Sequence, residues 1–206
     1  MDIALFALRL VVGLFFAGHG AQKLFGAFGG HGLAGTAGFF DQIGMKPGRR
    51  NAIAAGAAEF AGGLLLVLGL ATPLAAAMII GVMVVAIATV HANKGPWVTD
   101  GGWEYNLVLI AVAFALAGAS PGEISLDDAF GWMPDITGTG WAFAALAAGV
   151  LGGLGALATS RATAAREERA TGTPATERTG RFTREPEPAA ADQAQAERPG
   201  VPADPR

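Results

Sequence analysis

Residues 52–91 read AIAAGAAEFAGGLLLVLGLATPLAAAMIIGVMVVAIATVH, forty positions with one carboxylate, Glu59, and no Lys or Arg. About twenty apolar residues at a rise of about 1.5 Å each cross a hydrocarbon core of about 30 Å, so this stretch holds two crossings. Thr72-Pro73 divides it, because proline is accepted in the first turn of a helix but not in the middle of one. The reading is two antiparallel membrane helices, 52–70 and 74–91, joined by a tight turn.

The pattern extends in both directions. Upstream, 3–25 (IALFALRLVVGLFFAGHGAQKLF) is a third apolar run. Asp2 stands where a signal peptide would be basic, and the apolar run is too long for one, so the segment is expected to be a retained span. Arg9 lies near one end of it, where its side chain is expected to snorkel towards water. The glycine-rich stretch 26–51 is expected to hold a short interfacial or re-entrant segment, ending in Lys46, Pro47, Arg49 and Arg50. Downstream, 103–119 reads as a fourth span, followed by an acidic amphipathic stretch over 123–135. An Ala- and Gly-rich run without charge over 139–159 reads as a fifth. The fold class is therefore an all-α membrane bundle.

Composition divides the chain sharply. Residues 1–160 hold six of the fourteen Lys and Arg, whereas 161–206 hold eight Arg, eight acidic residues and six of the eleven prolines. The second part lacks the large apolar side chains that a core needs, so it is expected to be a disordered tail, with helix continuing from the fifth span to about Arg169. The formal net charge of −3 and the lack of a dense basic patch argue against a nucleic-acid partner. Cysteine is absent, which excludes disulfides and thiolate chemistry within the chain. A redox role would need a bound cofactor, a quinone or a partner subunit.

Loop charge sets an orientation. Lys46, Arg49, Arg50 and Lys94 lie in 26–51 and 92–103, and Arg161, Arg166 and Arg169 follow the fifth span. The turn at 71–73 has no basic residue, and 120–138 is purely acidic. Five spans put all the basic segments on one side, which the positive-inside rule makes cytoplasmic, with the tail inside and the N-terminus outside. Small residues crowd the spans: Gly13 and Gly18 in the first, Gly56, Gly62 and Gly63 in the second, and Gly149, Gly152, Gly153 and Gly155 in the fifth. They suit close packing within the bundle or a seam between two copies, and the sequence alone does not separate the two.

Counting along alternating helices places five polar residues in one leaflet: His19, Lys23, Glu59, His91 and Glu104. Ionisable groups in the membrane are costly and usually face a bundle interior or cavity. Glu59 is the deepest, either as a ligand contact or as the partner of His19 or Lys23. His19 and Lys23, four apart, share a helix face. His91 and Glu104 lie nearer the boundary, where interfacial anchoring competes with a site role. Trp97, Trp103 and Phe39 or Phe40 are expected to roof the cluster. No metal is expected, since neither HxxxH nor HExxH spacing occurs.

These residues also carry a family resemblance. Arg9 with Gly13, the run Gly18-His19-Gly20-Ala21-Gln22-Lys23-Leu24, Phe39-Phe40, and Glu59 with Gly62-Gly63 come in order. Gly69 before Thr72-Pro73, His91, Gly101-Gly102-Trp103-Glu104 and Ser125-Leu126-Asp127 follow. In this order they resemble the DoxX family of small bacterial membrane proteins. The resemblance implies a four-helix membrane domain over 1–130, to which this chain adds a linker and fifth helix over 131–160 and the tail. It also implies a place in membrane redox systems, with His19, Lys23, Glu59, His91 and Glu104 as the site positions to carry over. The leading expectation is a bacterial cell-membrane subunit of a redox system that contacts a quinone or small redox substrate. Its partners would be membrane lipid, redox-enzyme subunits and a second copy of the chain. A non-catalytic scaffold for soluble enzymes and a small-solute or proton transporter are the alternatives.

Overall fold

The computed structural model describes residues 2–172. They comprise a compact unit, Met1–Arg166, and the first residues of a second, Glu167–Arg206. All packing below concerns the first unit. The expected disordered tail lies outside the described residues from position 173 onwards.

The described chain is all helix and loop, and four helices are long and apolar enough to cross a membrane. Helix α1 is Asp2–Phe25, and α2, Gly32–Gln42, occupies the segment expected to be interfacial. Helix α3 is Gly48–Leu68. Helix α4, Thr72–Ala86, runs on through a π-helical turn, Ile87–His91, to Lys94. Helix α5, Glu104–Ala119, is shorter, about 24 Å at the usual rise. The acidic stretch forms two single turns, α6 (Leu126–Ala129) and α7 (Met133–Ile136). Helix α8, Thr139–Thr171, runs through the last apolar stretch into the helical continuation expected to about Arg169 and stops at Gly172, whose φ of +62° is left-handed.

Glycine determines which helices touch. A Cβ on Gly63 would sit 2.5 Å from Gly13 O, and one on Gly20 would sit 2.7 Å from Gly56 O, so α1 and α3 meet backbone to backbone. Each interior glycine weakens its helix by about 1 kcal/mol relative to alanine. Close approach offsets this with dispersion and Cα–H···O contacts, the forces available where lipid is as apolar as leucine. Helix α8 approaches α4 in the same way, with Gly149 against Ala77 O and Gly153 against Gly81 O. A core of Phe16, Leu66, Ile79, Ile80 and Leu116 fills the space between.

At the α3–α4 turn the structure corrects one expectation. Arg9 does not snorkel; it is fully buried, at 0% exposure. Its guanidinium donates to Leu66 O at 3.4 Å and to Ile124 O, and lies over the Phe6 ring. Asp127, equally buried, accepts from the N–H groups of Ala71 (2.7 Å) and Thr72 (3.0 Å) and from the Thr72 hydroxyl (2.8 Å). Asp127 therefore caps α4, since the first N–H groups of a helix have no partner of their own. The snorkelling expectation rests on sequence position alone, and carbonyl partners 57 and 115 residues away are invisible to it.

Candidate functional site

A wide cavity runs along α4, from Leu74 to Val90 of the π-helical turn. Its volume is about 600 Å³, and its walls come from α2, α3, α4 and α8, with Lys23 of α1. The lining is almost wholly apolar, from Phe39 and Phe40 to Val82, Val85 and Ala156, with Lys23, Asn51, Glu59 and Thr89 as its polar members. Partly or fully exposed residues such as Ala54, Leu74, Ala148 and Gly152 edge it. Size and lining match sites that hold an apolar molecule by a few oriented polar groups.

Glu59 is 4% exposed, and its Oε2 lies 2.6 Å from Lys23 Nζ. Among the described residues that oxygen has no hydrogen bond besides the ion pair. Lys23 is 28% exposed at its side chain, so the pair joins an enclosed carboxylate to a partly open ammonium. The pairing follows from the glycine seam. With Gly20 pressed on α3 at Gly56 and Phe60, the next turn of α1 sets Lys23 beside Gly56 and within reach of Glu59. Thr36 of α2 donates to Lys23 O at 3.4 Å and ties α2 over that end.

The other expected residues take different places. His19 is exposed, and its Nδ1 donates to Gln22 Oε1 at 3.1 Å. His91 Nδ1 donates to Gly101 O at 2.6 Å, and Glu104 accepts from the Val98 N–H at 2.7 Å. Both thereby fasten the loop between α4 and α5. The structure brings Lys23 and Glu59 to one cavity wall; His19, His91 and Glu104 are not among its lining residues. Phe39 and Phe40 line it as expected, whereas Trp97 and Trp103 do not, and Trp97 is strongly exposed.

Three features escape the sequence reading. Asn51 lines the cavity, and its amide donates to Met45 O (3.0 Å) and Pro47 O (3.2 Å), fixing the entry to α3. Asn106 of α5, 6% exposed, donates to the sulfur of Met83, itself a lining residue. The π-helical turn contributes Thr89, whose hydroxyl donates to Val85 O at 2.8 Å. An asparagine inside or beside an apolar run is the available signal for the first two. The extra residue of a π turn leaves no trace in composition.

Comparison with known proteins bears on residues already placed. The DoxX family model matches residues 4–92, which run from α1 through the π-helical turn and include Lys23 and Glu59. A Bacillus subtilis (strain 168) protein named Putative oxidoreductase CatD is 32% identical over 118 residues, covering 57% of this chain and 81% of its own length. No solved structure matches the chain.

Proposed function

The chain belongs to the DoxX family of small bacterial membrane proteins, and on that footing we propose that it is the membrane subunit of a redox system whose lipid-soluble substrate, a quinone, occupies the cavity. The observation that carries this reading is an apolar cavity of about 600 Å³ with an ion pair, Lys23–Glu59, in its wall. A lipid-soluble ring with an apolar tail suits both parts. The Lys23 ammonium is a donor for a ring carbonyl oxygen. Glu59 holds that ammonium in place and can take or give a proton. A quinone, when bound, supplies the two-electron chemistry, and a partner subunit gives or takes the electrons. The relative's name points to the same broad chemistry.

The same reading includes five crossings. Helix α5 starts at the loop after α4, where the Glu104 N–H donates to Pro96 O. The segment that follows α5 reaches the α3–α4 turn through Asp127. Its two ends thus attach to opposite ends of the bundle despite its length.

The test is titration of the protein in native-lipid discs with decylubiquinone, followed by native mass spectrometry. Saturable binding in the wild type, weakened by Glu59→Gln, is expected. Absence of binding together with unchanged redox phenotypes in cells carrying Glu59→Gln would remove this reading.

A further inference from the structure

Four glycines line the cavity: Gly81 on α4, and Gly149, Gly152 and Gly153 on α8. Three of them have a packing reason. A Cβ on Gly149 would lie 2.7 Å from Ala77 O, one on Gly153 2.9 Å from Gly81 O, and one on Gly81 3.2 Å from Gly149 O. Gly152, an exposed residue at the cavity edge, has none: a Cβ there would meet nothing within 4 Å, as at Gly155, but of these two only Gly152 lines the cavity. Glycine weakens a helix interior, so a glycine that no neighbour requires draws attention to the space in front of it.

That space lies level with the ion pair. Helices α3 and α4 run antiparallel, and Gly62 faces Met78. Glu59, three residues before Gly62, is therefore level with the region of Gly81 and Val82. Helix α8 runs parallel to α4, with Gly149 at Ala77 and Ile80 and Gly153 at Gly81 and Val84. Gly152 falls at the same height. The α8 wall of the cavity is thus glycine where its polar pair stands and alanine, at Ala148 and Ala156, to either side. Helix α8 also lies outside the stretch matched by the family model.

We propose that Gly152 is the specificity-determining residue of the cavity, the position whose missing side chain admits a flat ring beside Lys23–Glu59. This rests on the reading of the cavity as a quinone site and assigns the choice of headgroup to α8. A ring needs the width that Gly152 leaves open; a single alkyl chain does not.

The experiment compares wild type, Gly152→Ala and Gly152→Leu in native-lipid discs with two probes. One is decylubiquinone, a ring with a short tail, and the other is dodecanol, a tail without a ring. A pocket methyl group discriminates by about tenfold or more, so Gly152→Ala should weaken decylubiquinone by about tenfold and Gly152→Leu by about a hundredfold, with dodecanol unchanged. Wild-type affinity of Gly152→Leu for decylubiquinone would overturn the assignment and leave the quinone reading standing. Equal loss of both probes would also overturn it, because the cavity would then have closed rather than narrowed. If the wild type itself bound no decylubiquinone, both readings would fall. Should Gly152→Leu fail to fold, as read by thermal unfolding, the alanine variant decides alone.

Discussion

Lys23 and Glu59 stand in a setting where charge is expensive, and the pair is asymmetric: the carboxylate is almost fully enclosed and the ammonium is partly open. Removing one partner leaves the other to be neutralised or hydrated, while removing both leaves only a less polar wall. Lys23→Met and Glu59→Gln should therefore each destabilise the fold, and the double variant should lose less than their sum. The expected coupling is about 1–3 kcal/mol in a double-mutant cycle read by unfolding in lipid discs. Strict additivity would mean that the two groups do not stabilise each other. Sequence spacing offers His19 or Lys23 as partner to Glu59, since both occupy one face of α1. The structure selects Lys23, whose longer side chain reaches past Gly56, while His19 turns to Gln22.

At the level of elements, the seam between α1 and α3 tolerates no side chain where the backbones touch. Gly63→Leu would force a branched side chain into the space of Gly13 O and Ala17, and such overpacking should cost about 3 kcal/mol or prevent folding. Gly18, on the same seam helix α1 but facing open space, should accept alanine with a gain of about 0.5–1 kcal/mol from helix propensity. Thermal unfolding of the two variants in detergent checks the contrast, and similar losses at both positions would contradict the seam. The long spans are legible in the sequence because an unbroken apolar run of about eighteen residues or more exceeds what the core of a small soluble domain can bury. So is the turn at Thr72-Pro73, because proline is confined to helix starts. Other features are not legible, for identifiable reasons. Ala and Gly at 148, 149, 152, 153 and 156 read as packing residues, and only the assembled helices show that some of them face a cavity. Asp127 belongs to the Ser125-Leu126-Asp127 run that the resemblance marks, but nothing local tells it from the neighbouring Asp128 or shows that it caps a helix 55 residues away.

For the molecule as a whole, the proposed arrangement of five crossings is directly accessible, since the chain contains no cysteine and any introduced thiol reports alone. Lys94→Cys should be shielded from a membrane-impermeant maleimide in intact cells, and Gly131→Cys should react. Labelling of both from outside would break the topology. Both positions are exposed, so protection reports the membrane rather than burial. The enclosed Arg9 bears on a separate matter, the order in which the ribosome delivers the parts. Its carbonyl acceptor at Ile124 is translated 115 residues after it, behind helices α2 to α5. A nascent chain that ends before that point can offer Arg9 the Leu66 carbonyl and the Phe6 ring but not the Ile124 carbonyl. The finished protein encloses the same group, so the burial of Arg9 is complete only once the segment after α5 has been made and docked.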